Sequence, residues 1–196
     1  IDGTGAPPRG PMDIVVQNNR ITDVVSVGFP GVPINERSRP AKGAREIDGI
    51  GMYVMPGFVD AHVHCGGGQA RDPEYVYKLW MGHGITTIRD PGCGNGIDWC
   101  AGEQKRSAAN AITAPRIFPY AFFAAERKAP ITDPEDARAW VREVKAKGAL
   151  GMKCFGYRPD ILEAAFDELK KQGMRSACHH AQLDVARVNV LTTARW

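Results

Sequence analysis

The chain has 196 residues, room for one full domain or one with a small appendage. Its 43% hydrophobic and 24% charged residues suit a soluble globular fold and argue against global disorder. Lys and Arg number 25 against 22 Asp and Glu, interspersed for a net +3, so charge makes no case for nucleic acid or a membrane surface.

In chain order, Asp13 to Gln17 and Arg20 to Val27 read as short strands around a turn at Asn18-Asn19. Gly28 to Lys42, with three prolines, reads as a loop. Arg45 to Val54 is expected to form two more short strands, broken by Gly49 and Gly51. Residues 1–56 therefore form a small β unit, with little apolar mass of its own.

At Pro56-Gly57 the pattern changes to alternating strands and helices. Strands are expected at Phe58–His62, Ile85–Arg89, Arg116–Phe123, Leu150–Phe155 and Met174–His179. Helices are expected at Pro73–His83, Ile97–Asn110, from Pro134 to Gly148, from Pro159 to Gly173, and from Leu183 to Arg195. In the third of these, Asp133 or Thr132 can cap, Pro134 suits the first turn, and Ala137, Trp140, Val141 and Val144 share a face. A strand about every 25–33 residues, each followed by a helix, is the repeat of a parallel α/β sheet and of a (β/α)8 barrel in particular. A doubly wound sheet is the alternative. A closed barrel needs about 200–250 residues, so residues 57–196 can hold only part of one. The fold expected is a partial TIM barrel of about five βα units beside a small N-terminal β-sandwich part.

No apolar run approaches the ~18–20 residues of a membrane span, and the first twenty residues lack signal-peptide order. The five cysteines (Cys65, Cys93, Cys100, Cys154, Cys178) are odd in number and contain no CxxC pair. They read as buried small hydrophobes in a reducing, cytoplasmic compartment. The chain starts at Ile1 and reads as a processed or partial product.

Three features carry chemistry. In Asp60-Ala61-His62-Val63-His64, at a strand's C-terminal end, alternation puts both imidazoles on one side. There they can share one metal ion, although two solvated loop histidines give the same pattern. The glycines Gly66 to Gly68 would allow close backbone approach. His179-His180 closes the fifth strand, and only one of the pair can face a barrel interior. Lys153 sits within the apolar strand Gly151-Met152-Lys153-Cys154-Phe155. It either snorkels to water or loses its charge and reacts with CO2 to give an anionic carbamate.

Together these segments resemble the amidohydrolase superfamily. Pro56-Gly57-Phe58-Val59-Asp60-Ala61-His62-Val63-His64 is similar to its first-strand signature, and Gly84-Ile85-Thr86-Thr87-Ile88-Arg89-Asp90 to the second strand of its imidazolonepropionase-like and prolidase-like branch. Gly151 to Phe155 resembles the strand bearing a carboxylated lysine, and Ala177-Cys178-His179-His180-Ala181 the one bearing a ligating histidine. The resemblance implies a metal-dependent hydrolase of C–N bonds, acting on a cyclic or linear amide or a dipeptide-like small molecule. It implies one or two divalent ions, zinc foremost. His62 and His64 would hold one metal, carboxylated Lys153 would bridge, and His179 would hold the second. Tyr157 and Arg158, after the fourth strand, are the expected substrate contacts. The family's general-base Asp and a further His would lie beyond Trp196, so the chain reads as truncated. A homo-oligomer is allowed; nucleic acid and membrane partners are not expected.

Two other readings remain at this point. A non-catalytic remnant would bind only metal or a partner chain. A nucleotide- or phosphate-binding α/β domain is disfavoured, because no GxGxxG or GxxxxGK[ST] occurs.

Overall fold

The computed structural model describes residues 1–66, 72–127, 129–180 and 188–196. Gly67, Gly68, Ala181 and the first part of the expected last helix lie outside the described residues. The chain divides into two compact units, Ile1–Pro56 and Gly57–Trp196.

The first unit is built on one antiparallel hairpin, β1 (Met12–Gln17) and β2 (Arg20–Ser26). Asn18 and Asn19 both take left-handed backbone (φ 50° and 60°), the turn chemistry that asparagine tolerates and that matches strand twist. The two strands expected between Arg45 and Val54 do not form; no strand occurs in that segment. The physical reason is that a strand is defined by its partner. Ile47, Ile50, Met52 and Tyr53 are all exposed, with no ladder beside them.

The second unit is a parallel sheet in the order β3 (Phe58–Asp60), β4 (Ile85–Asp90), β5 (Arg116–Phe122), β6 (Gly151–Cys154), β7 (Arg175–Cys178). Between them run α1 (Pro73–Gly82), α2 (Ile97–Ala108), α3 (Pro134–Lys147) and α4 (Pro159–Lys171). Every strand pairs with its neighbour in sequence. With right-handed crossovers that order puts all helices on one face, whereas a doubly wound sheet reverses order at a switch point. The sheet is thus a curled half-barrel, and the doubly wound alternative falls away. Of the last expected helix only α5 (Val190–Thr193), a single turn, is seen among the described residues.

Local chemistry explains the elements. Asp133 caps α3 by accepting the Asp136 N–H, Pro134 occupies its first turn, and Gly148 closes it in left-handed backbone (φ 108°). Trp140, Val141 and Val144 of α3 pack with Ile161, Leu162, Ala165 and Leu169 of α4 over Met152 and Cys154 of β6. A second cluster joins Tyr77 of α1, Ile88 of β4, Cys100 of α2 and Ile117 of β5. Both clusters fill the helix-facing side of the sheet. Lys153, Phe155 and His179 alternate onto the other side.

Candidate functional site at the strand ends

His62 and His64 lie just past β3 rather than within it, since the strand ends at Asp60. The extended alternation nevertheless continues. Val63 donates its N–H to the Arg89 carbonyl at 3.2 Å, Val63 and Cys65 are buried, and His62 and His64 are exposed. The two rings meet edge to face, centroids 5.5 Å apart. His62 also donates its backbone N–H to Asp60 Oδ1 at 3.0 Å.

His64 is oriented from behind. Its Nδ1 is 3.1 Å from the Gly92 carbonyl and 3.4 Å from Asp90 Oδ1. A proton on Nδ1 serves both acceptors and leaves Nε2 as the donor nitrogen. Asp90, the last residue of β4, is completely buried. It accepts N–H groups from Cys65 and Gly92, both at 3.0 Å. Its role on His64 was missed because it depends on tertiary contact.

Lys153 is buried, its Nζ 5.6 Å from the centre of the Phe155 ring. Among the described residues it makes no hydrogen bond or ion pair. Partial loss of hydration foremost, then the positive charge of Lys153, holds His62 below its ordinary pKa; His64 and Arg89 add to this and Asp60 opposes it. Phe155 in turn stacks on His179, centroids 5.2 Å apart. His180 turns elsewhere: its Nε2 is 3.3 Å from Thr193 Oγ1 and its Nδ1 3.4 Å from the Val188 carbonyl.

Tyr157 and Arg158 have structural partners. The Tyr157 hydroxyl donates to the Ile131 carbonyl at 2.7 Å, and its ring meets Phe123 edge to face. Arg158 grips Asp160 through Nε and Nη2 and donates from Nη1 to the Thr132 carbonyl.

Among the described residues, three His, Cys, Asp or Glu donors come within 4.8 Å of one another only at Cys65, Asp90 and Cys100. His62, His64 and His179 do not close to that distance. In the buried cluster, Cys93 and Cys100 are joined by a disulfide, a departure from the expected unbridged cysteines. The turn at Gly96 starts α2 and brings Cys100, one turn into the helix, back onto Cys93. Burial first, then the negative Asp90, pushes the Cys65 thiol far above its ordinary pKa, so it stays protonated. With Cys100 bridged and Cys65 protonated, that cluster offers a cation only one carboxylate.

No family model matches the chain. It is 27% identical to an adenine deaminase from Bacillus velezensis over 95% of this chain and 35% of the relative. It is 31% identical to an N-acyl-D-aspartate deacylase from Alcaligenes xylosoxydans xylosoxydans over 63% of this chain and 22% of the relative. A solved structure from Bifidobacterium longum, described as a prolidase, superposes with a TM-score of 0.68 at 26% identity, covering 92% of this chain and 47% of that one. These likenesses point to the N-terminal portion of an amidohydrolase-superfamily protein. It spans about a third or less of the length of these curated relatives, and about half of the solved chain. Both curated relatives carry names of hydrolases that act on C–N bonds. In this chain the half-barrel presents its strand ends with histidines and a buried lysine. No described helix is long and apolar enough to cross a membrane.

Proposed function

We infer that this chain carries the metal-binding half-site of an amidohydrolase that cleaves a C–N bond in a cyclic or linear amide or a dipeptide-like small molecule. What supports the reading is that His62 and His64 follow β3, Lys153 lies near the end of β6 and His179 follows β7, so that all four stand toward the C-terminal ends of their strands. That is the end where barrel enzymes keep their chemistry. A buried lysine with no anion partner among the described residues, beside exposed imidazoles, is a donor set that fits divalent cations.

His62 and His64 would hold one ion, zinc foremost, and His179 a second. Lys153 contributes once its neutral amine adds to CO2. The nitrogen then forms a bond to carbon and releases a proton, and the head changes from cation to anion. That reversal would turn its repulsion of a protonated His62 into attraction for a shared cation. A divalent ion bound there supplies Lewis acidity toward a carbonyl and lowers the pKa of water. Asp90 and the Gly92 carbonyl hold the His64 tautomer, and Phe155 holds the plane of His179. Tyr157 and Arg158 stand as substrate contacts, each exchanging a present hydrogen bond on binding. No general base is assigned within residues 1–196.

The test is metal content per chain by elemental mass spectrometry, on protein purified without chelator. The expected result is one or two zinc-type ions, most of them lost in His62→Ala and in His64→Ala. Unchanged metal content in both variants overturns the reading. Lys153→Ala is expected to lower two ions to one.

A further inference from the structure

We propose that Cys154 and Cys178 form a dithiol modification site, which low-molecular-weight disulfides such as oxidised glutathione convert to an intramolecular bridge. The two residues are direct partners in the β6–β7 ladder. Both are free thiols, and their sulfurs lie 2.9 Å apart. Neighbouring strands run about 4.8 Å apart, inside the Cα separation over which a disulfide closes. The sulfurs therefore need only a small approach, with no backbone movement.

The pair sits on the helix-facing side of the sheet. Cys154 belongs to the core beside Met152, and Cys178 packs against that core. Cys154 is buried, whereas Cys178 is half-buried and is the sulfur that an outside reagent meets first. Neither thiol has a part in the proposed hydrolysis, so this inference stands apart from that reading.

The exchange balances. The Cys178 sulfur, after losing its proton, attacks one sulfur of the oxidised glutathione. The glutathione S–S bond breaks, a mixed disulfide forms on Cys178, and one glutathione leaves as thiolate. Cys154 then loses its proton and attacks the Cys178 sulfur. The mixed disulfide breaks and the second glutathione leaves. Two electrons pass from the protein dithiol to the glutathione pair, and two protons are released in all. Reduced glutathione reverses each step.

The experiment equilibrates the whole chain in buffers of graded reduced and oxidised glutathione, quenches with acid, digests, and maps cysteines by mass spectrometry. The expected result is a Cys154–Cys178 cross-linked peptide that grows with oxidant and disappears on return to reduced glutathione. Cys154→Ala is expected to trap a mixed glutathione disulfide on Cys178, and Cys178→Ala to leave Cys154 reduced. The proposal is overturned if both thiols stay reduced at every ratio. It is also overturned if the mixed disulfide on Cys178 persists in the unsubstituted chain, or if the cross-link arises only after the chain is unfolded in urea. The unsubstituted chain decides alone, so misfolding of either variant leaves the test intact.

Discussion

Asp90 and His64 meet where the loop after β3 crosses the end of β4: a wholly buried carboxylate oxygen lies 3.4 Å from the Nδ1 of a half-exposed imidazole. The same carboxylate accepts the Cys65 and Gly92 backbone N–H groups. One side chain thus fixes two loops and one ring.

Asp90→Asn tests that arrangement. An amide has one accepting oxygen and one donating nitrogen, so one of the two backbone N–H groups is left facing another donor in the interior. The expected cost is about 1–3 kcal/mol, read from the shift of a urea unfolding curve. A change of a few tenths would mean that the loops hold themselves.

Trp140 anchors the larger core. It is 1% exposed, donates Nε1–H to the Ala125 carbonyl at 3.1 Å, and meets Phe123 edge to face. Trp140→Ala is expected to cost about 3–5 kcal/mol, with loss of near-ultraviolet dichroism from the α3 region.

Gly151 opens β6 where there is no room for a methyl group. A Cβ there would lie 2.5 Å from the Tyr120 ring and 2.6 Å from the Arg175 carbonyl oxygen. The second contact is backbone of β7 and cannot rotate away. Gly151→Ala should therefore destabilise by about 1–3 kcal/mol and loosen amide protection in β6 and β7 under hydrogen exchange.

Acid should act on the start of α3. The Thr132 backbone N–H, followed by its hydroxyl and the nearby Arg127, holds the Asp136 carboxyl below its ordinary 3.8. A depressed folded pKa means that the unfolded chain binds the proton more readily. This contribution is complete above pH 3.8 and is lost as pH falls through the lower folded value. Asp136→Asn is expected to flatten that part of the acid unfolding profile; an unchanged profile would place the acid lability elsewhere.

The five strands and the four helices between them were legible because their limits are written locally. Asp133-Pro134 starts a helix, Gly148 stops it, and each strand is a short apolar run between such signals. The His62–His64 pair was legible for the same reason: two residues apart, it needs no partner to be seen. Arg45 to Val54 misled because its apolar alternation announces a strand without saying what it pairs with. Asp90 beneath His64 and Cys154 opposite Cys178 are contacts between residues 26 and 24 positions apart in sequence. They follow from sheet register, which the pattern of a single strand does not contain. The Cys93–Cys100 bridge depends likewise on where α2 begins.

The sequential order of the sheet also bears on how the polypeptide reaches its folded form on the ribosome. β4 emerges with β3 already made, β5 with β4, and so on through β7. Each new strand from β4 to β7 finds its hydrogen-bonding edge and its covering helix within the preceding few dozen residues. Pairing in sequence order lets the sheet grow one βα unit at a time, each inner edge covered as soon as the next strand is made.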